Sequence, residues 1–208
     1  MAHPILVVTA VAAEAEAVRA GADPSHVVVE SVGVGPAAAA AGTARLLAKG
    51  SYRAVISAGI AGGFPGRAPV GATVIGARSI AADLGAESPD GFLPIEELGF
   101  GTSVRPADPL LLKGLTAALP EAIAGDVLTL ATVTGTAATA EALSRRFPRA
   151  VAEAMEGFGV AVAAAGLPFA ELRAISNPIG PRDRAAWRLK DAFAALSTAS
   201  TALWTACG

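Results

Sequence analysis

Cysteine is almost absent: one in 208 residues, Cys207, next to the last position. No internal disulfide can form, so a reducing, cytoplasmic setting is expected. Histidine is nearly as scarce. His3 and His26 stand apart from each other and from any Cys or acidic cluster. Neither a structural zinc site nor a His-based triad can be assembled from them, and no metal or cofactor is expected. Basic surplus is lacking too. The net charge is −2, the pI about 5.7, and no basic stretch exceeds a short cluster, which argues against a nucleic-acid footprint. Long hydrophobic runs are missing, because Glu, Arg, Asp, Gly or Pro interrupts every one before it reaches membrane-spanning length. The opening MAHPILVVTAVAAEAEAV has no basic leader and carries Glu14 and Glu16, so it reads as a first strand and helix rather than a signal peptide. What chemistry remains must come from carboxylates, amides and backbone.

What is present is apolar and small. Hydrophobic residues make up 53% and charged residues 16%, with a mean hydropathy of +0.53 to which alanine contributes heavily. The length suits one α/β domain over residues 1–208. Runs rich in Val, Ile and Leu read as strands at Pro4–Val8, His26–Val32, Ala54–Ala58, Thr73–Ile80, Val127–Val133 and Glu171–Ile175. Their continuous character predicts burial on both faces. Helices are expected at Pro36–Lys49, Pro109–Ala118, Ala138–Phe147, Met155–Ala165 and Arg184–Trp204. The alternation predicts a single-domain three-layer α/β/α fold with a mixed central sheet. The stretch Asp83–Pro106, rich in Gly, Pro and acids, reads as an active-site loop or an oligomer contact.

In such sheets ligands collect beyond the carboxyl ends of the strands, and four places there carry chemistry. Gly33-Val34-Gly35-Pro36-Ala37-Ala38 matches the G-x-G-x-x-A dinucleotide fingerprint. The acid that fingerprint wants after the next strand is replaced by Ser57-Ala58-Gly59, so a tight strand-to-helix turn is the simpler account. Ala58-Gly59-Ile60-Ala61-Gly62-Gly63 is a glycine-rich turn that lets backbone approach a flat ligand. Glu14 follows the first strand, with Glu16 as its rival; two residues apart on a helix, only one can face a cleft. Glu156, in Ala154-Met155-Glu156-Gly157-Phe158-Gly159, is either a ligand for vicinal hydroxyls or a helix-start acid favoured by the dipole. A fifth oddity is Asn177, an amide where the apolar run ending in Ile175 stops.

Taken in order from Ile5 to about Phe193, the post-strand glutamate, SAGIAGGF, AMEGFG and the late AISN resemble the purine nucleoside phosphorylase superfamily. The nearest branch is its hydrolytic members, the methylthioadenosine/S-adenosylhomocysteine nucleosidases. The tail SNPIGPRDRAAWRLKDAF is similar, more specifically, to the futalosine hydrolases, which release hypoxanthine from futalosine in an alternative menaquinone pathway. The resemblance implies a nucleoside phosphorylase-like fold, a small-molecule nucleoside substrate and a homo-oligomer, dimer or tetramer. It implies that Glu14 activates water, and that Met155 and Glu156 hold the ribose. By the same resemblance Asn177, with Ser176 before it, faces the purine N7, and Ala61 and Gly62 run beside the base. Val133 and Thr134 fall where the family often carries an aromatic over the base, and neither is one.

Two departures refine that expectation. Adenine-cleaving relatives have Ser-Asp at Ser176-Asn177; an amide there both donates and accepts, which suits a six-oxo purine better than a six-amino one. Phosphorylases of the superfamily place arginines by the glycine-rich turns, whereas here the nearest are Arg53 and Arg67. Water is therefore the expected nucleophile. For the benzoate carboxylate of futalosine the candidates are Arg182, Arg184 and Lys190, and Trp187 either covers the site or anchors the last helix. The rival readings are an adenosine-type nucleosidase, a purine nucleoside phosphorylase, a non-catalytic nucleoside-binding protein and, on the fingerprint alone, a nicotinamide-dependent oxidoreductase.

Overall fold

The structure, a computed structural model, describes residues 3–206, so Cys207 lies outside the described residues. The first half runs β1 (Ile5–Thr9), α1 (Ala12–Gly21), β2 (Val27–Ser31), α2 (Pro36–Leu47), β3 (Ala54–Gly63) and β4 (Thr73–Ala81). A hairpin of β5 (Gly85–Ser88) and β6 (Gly91–Pro94) follows, then β7 (Val104–Pro106) and α3 (Pro109–Ala118). The second half is β8 (Ile123–Thr129), α4 (Ala137–Arg146), β9 (Ala150–Ala154), α5 (Gly157–Ala163) and β10 (Phe169–Pro178). A 3-10 turn at Arg184–Ala186 leads to α6 (Leu189–Ser200) and α7 (Leu203–Ala206).

The layering explains the apolar runs. Every residue of β1 is buried, and its side chains alternate between two helical layers. Ile5 and Val7 meet Val18 of α1, Leu115 of α3 and Leu196 of α6; Leu6 and Val8 meet Ala39 of α2 and Val160 of α5. Local chemistry starts the helices where the sequence suggests. Pro36 opens α2 after Gly35, whose φ of 89° disfavours a side chain. Asp108 accepts from the N–H groups of Leu110 and Leu111 to cap α3.

The strand order β10-β4-β8-β9-β3-β1-β2 does not describe an open sheet, because β10 also pairs with β3. Strands β3, β10, β4, β8 and β9 thereby close into a small barrel, from which β1 and β2 extend as a parallel wing. The pairing is mixed, as expected: β10 is parallel to β3 and antiparallel to β4.

Two irregularities in this sheet build the site. Along one edge of β3, β1 pairs Ala54 to Ser57, and β9 takes over only at Gly62 and Gly63. The backbone between them has no strand on that side, so its N–H groups are available to something else. On the other edge, β10 matches Ile175 to Ala61 but Asn177 to Gly62, so Ser176 is an extra residue in a bulge. A bulge re-aims the side chains that follow it.

Several expectations need correction. Ala58–Gly63 is the second half of strand β3, not a turn; its glycines serve close packing inside the sheet. Asn177 lies within β10, past the bulge, not after its end. Val133 lies outside β8, which spans Ile123–Thr129. β9 falls in an alanine-rich segment with no strand signature, and Asp83–Pro106 holds β5, β6 and β7. The expected closing helix breaks between the 3-10 turn and α6, and again before α7.

Candidate active site

A cavity of about 320 Å³ opens where β1 and β9 part along β3, a volume that suits a nucleoside-sized ligand. Ten of the residues singled out from the sequence line it: Glu14, Ala61, Gly62, Val133, Thr134, Met155, Glu156, Ser176, Asn177 and Arg182. Glu16 is exposed and does not.

Glu14 sits in the first turn of α1 and is 4% exposed. One carboxylate oxygen accepts from the N–H of Ala10 at 3.0 Å and of Val11 at 3.3 Å. The other accepts from Ile60 N–H at 2.9 Å, filling the stretch of β3 edge that neither β1 nor β9 pairs. Burial pushes its pKa above the ordinary carboxylate range, Glu156 adds to the rise, and the Ile60 N–H and Arg173 hold it back. A carboxylate anchored in this way, with its proton affinity raised, can accept a proton from a neighbouring water.

Glu156 stands at the entry to α5 and is 6% exposed. It accepts from Gly35 N–H and Met155 N–H, each at 3.3 Å, and from Arg173 Nη1 at 3.4 Å. The glycine-rich turn Gly33–Pro36 thus serves to deliver a backbone donor to this carboxylate. The dipole-favoured position and the inward orientation coexist.

Beneath both acids lies a residue that the sequence reading passed over. Arg173 of β10 is 1% exposed and sits beside Gly59 in the ladder. A Cβ on Gly59 would come within 2.7 Å of Glu14 Oε1 and 2.8 Å of Arg173 Nη1, so only glycine lets the two approach. Arg173 Nε donates to Glu171 at 2.9 Å and Nη2 to Ser57 Oγ at 3.0 Å, while Ser79 Oγ donates to the other Glu171 oxygen. A signal for this existed. Glu171 and Arg173, opposite charges two residues apart in an apolar strand, must point to one face. Arg173, rather than Arg53 or Arg67, is therefore the cation nearest the glycine-rich segment. Each of its three nitrogens is engaged by a partner and it does not line the cavity, so it is not placed to hold an anion there.

The far end of the cavity is built differently. Asn177 is half-buried; its Oδ1 accepts from Ser176 Oγ at 2.8 Å and its Nδ2 donates to Pro178 O at 3.0 Å. Nδ2 has a second hydrogen and Oδ1 a second lone pair for a ligand. Glu153 of β9, also missed in the sequence, is 5% exposed and lines the same cavity. It accepts from Thr134 N–H at 2.7 Å and from Thr134 Oγ1. Burial raises its pKa, and the Thr134 hydroxyl and N–H oppose the rise. At the mouth, the Arg182 guanidinium lies 5.6 Å from the centre of the Trp187 ring, and both line the cavity. Arg184 and Lys190 do not line it. Among the described residues no cluster of acids, histidines or cysteines could hold a metal, and no helix is long and apolar enough to cross a membrane.

Comparison with known proteins agrees with this geometry. Residues 9–207 match the phosphorylase superfamily. The chain is 56% identical to futalosine hydrolase of Streptomyces coelicolor over a match covering 81% of this chain and 74% of that protein. It is 48% identical to futalosine hydrolase of Acidothermus cellulolyticus, covering 93% and 90%. Among solved structures, the methylthioadenosine/S-adenosylhomocysteine nucleosidase of S. pneumoniae, held with a transition-state inhibitor, has the same fold. Its TM-score is 0.85 at 20% identity, covering 99% of this chain and 100% of that one. The chain therefore belongs to the phosphorylase superfamily and, within it, to the futalosine hydrolase family.

Proposed function

We propose that the protein hydrolyses the N-glycosidic bond of futalosine, releasing hypoxanthine and leaving dehypoxanthinyl futalosine for menaquinone synthesis. The observation that carries the reading is the joint placement of Glu14 and Asn177 at opposite ends of one cavity in a chain of this family. Bond cleavage builds positive charge on the ribose, and the Glu14 end suits that charge: Glu14, Glu156 and Glu171 outnumber the one guanidinium of Arg173. Met155 and Glu156 hold the ribose, and Glu14 takes a proton from the attacking water. The departing purine gathers electron density, which a free Asn177 N–H stabilises at O6 or N7. Ala61 and Gly62 border the base, Val133 and Thr134 roof it, and Ser176 orients the amide. Arg182 beside Trp187 is the candidate to receive the benzoate carboxylate, supported by its place on the cavity wall.

Hydrolysis rather than phosphorolysis is favoured by the same excess of carboxylates, which disfavours a multiply charged anion. Three further parts belong to the reading. One domain spans residues 1–208, supported by a sheet that joins strands from both ends of the chain. A dimer or tetramer is supported by Val11 and Val34, apolar and exposed at the cavity rim. A cytoplasmic setting is supported by the single cysteine. The test is to incubate the protein with futalosine, inosine and methylthioadenosine, with and without phosphate, and to measure the free base. Hypoxanthine from futalosine in phosphate-free buffer is expected. Phosphate-dependent release would make it a phosphorylase, and preferential adenine release would overturn the assignment of Asn177.

A further inference from the structure

Asn177, Gly62 and Glu153 occupy one row across three adjacent strands. Gly62 of β3 is the register partner of Asn177 on β10 and of Glu153 on β9. Direct partners in a ladder project to the same face of a sheet. A Cβ built on Gly62 would lie 3.5 Å from Asn177 Nδ2, which shows that the amide leans over this glycine. The row thus has an amide on one side and a carboxylate on the other, and the space above the glycine is taken by Ile179, whose Cγ2 would lie 2.8 Å from that Cβ and which lines the cavity. The outer Cα positions are two strand spacings apart, about 9–10 Å, a span that suits a bicyclic base resting on Ile179 with one edge towards each polar group.

We propose that Glu153 is a specificity-determining residue that accepts the N1–H of a six-oxo purine, opposite the contact made by Asn177. The inference rests on the nucleosidase reading above and extends it to the Watson–Crick edge of the base. Each Glu153 oxygen takes one hydrogen from Thr134, one from N–H and one from the hydroxyl, and each has a lone pair left. Those two donors favour an ionised carboxylate, opposing the burial that favours the neutral acid. An ionised carboxylate matches a six-oxo purine, whose N1 carries hydrogen. It opposes a six-amino purine, whose N1 carries a lone pair. Asn177 alone does not complete this choice, since its remaining Nδ2 hydrogen can reach N7, an acceptor in both kinds of purine. Glu153 reads N1, where the two purines differ, and it supplies the discrimination that the amide lacks.

The test is a binding cycle with free bases, read by calorimetry on the full chain. Wild type should bind hypoxanthine about 10- to 100-fold tighter than 1-methylhypoxanthine, the range for a hydrogen bond to a charged group. In Glu153→Ala the two should differ by less than about threefold. Equal binding of the two bases by wild type, or an unchanged ratio in the variant, overturns the proposal. A purely structural role for Glu153 would weaken both ligands together and leave the ratio alone. Should the alanine variant fail to fold, Glu153→Gln is read instead. Its amide nitrogen should lower the preference for hypoxanthine over adenine at least tenfold, and an unchanged preference overturns the proposal. Wild type that binds hypoxanthine but shows no N1–H dependence sinks this inference alone. Wild type that binds neither hypoxanthine nor futalosine sinks the nucleosidase reading and this inference with it.

Discussion

At the Glu14 end of the cavity three carboxylates share one buried guanidinium, whereas at the far end Glu153 is held by the N–H and hydroxyl of Thr134. Both arrangements bury acids that would otherwise stay in water, but by different means. Arg173 compensates with full charge, one guanidinium set against three carboxyl groups. Thr134 compensates with dipoles, which oppose the rise in pKa that burial imposes on Glu153. The first arrangement suits a transition state that develops positive charge; the second suits recognition of a neutral base by its hydrogens.

The largest effect should come from removing the base. Glu14→Gln should lower turnover of futalosine about 10³-fold with KM within a few-fold of wild type, measured as hypoxanthine release. The amide cannot accept from Ala10, Val11 and Ile60 together, because its nitrogen would face a backbone N–H. A normal rate would erase the distinction between the two ends. Next is the cation: Arg173→Met leaves Glu171 and Glu156 buried without their partner and should cost about 3–5 kcal/mol in urea unfolding. A loss below about 1 kcal/mol would mean that the carboxylates, not the guanidinium, hold that end together.

Asn177→Asp tests the far end. It should shift the ratio of hypoxanthine to adenine release by about 10- to 100-fold towards adenine, because an acid can transfer a proton to a ring nitrogen to which the amide can only donate a hydrogen bond. The pH profile sharpens the comparison. Glu14 acts ionised and its pKa is raised, so kcat should fall as pH drops through that raised value. The acid limb should lie above the ordinary carboxylate range, falling tenfold per pH unit below it. A limb at the ordinary value would place the base in a wetter setting. The smallest effect is expected for Thr134→Val, which removes one donor from Glu153. A loss of about 1 kcal/mol in hypoxanthine binding, with kcat less affected, should result.

Most of the residues proposed to meet ligand were legible from local chemistry. Glu14 was separable from Glu16 only as a choice between two sides of a helix, and the structure makes that choice through Ile60 N–H. Glu156 stood out as an acid among small residues, and Asn177 as an amide after an apolar run. Glu153 was not legible because Ala150–Ala154 has the composition of a helix lead-in; it becomes a strand by filling the gap between β8 and β3. Arg173 was passed over inside the strand Glu171–Ile175, because nothing local says that its partners come from β3, β9's exit and its own strand.

The sequence by itself determined the alternation of strands and helices, the scarcity of metal and thiol chemistry, and the kinds of group that can act. Those follow from periodicity and composition, which are local. Only the tertiary structure decided that β1 and β9 part along β3, that one bulged residue turns Asn177 over Gly62, and that Glu153 faces it from the other side. Register across a sheet depends on how distant segments pair, and a shift of one residue would turn every one of these side chains away.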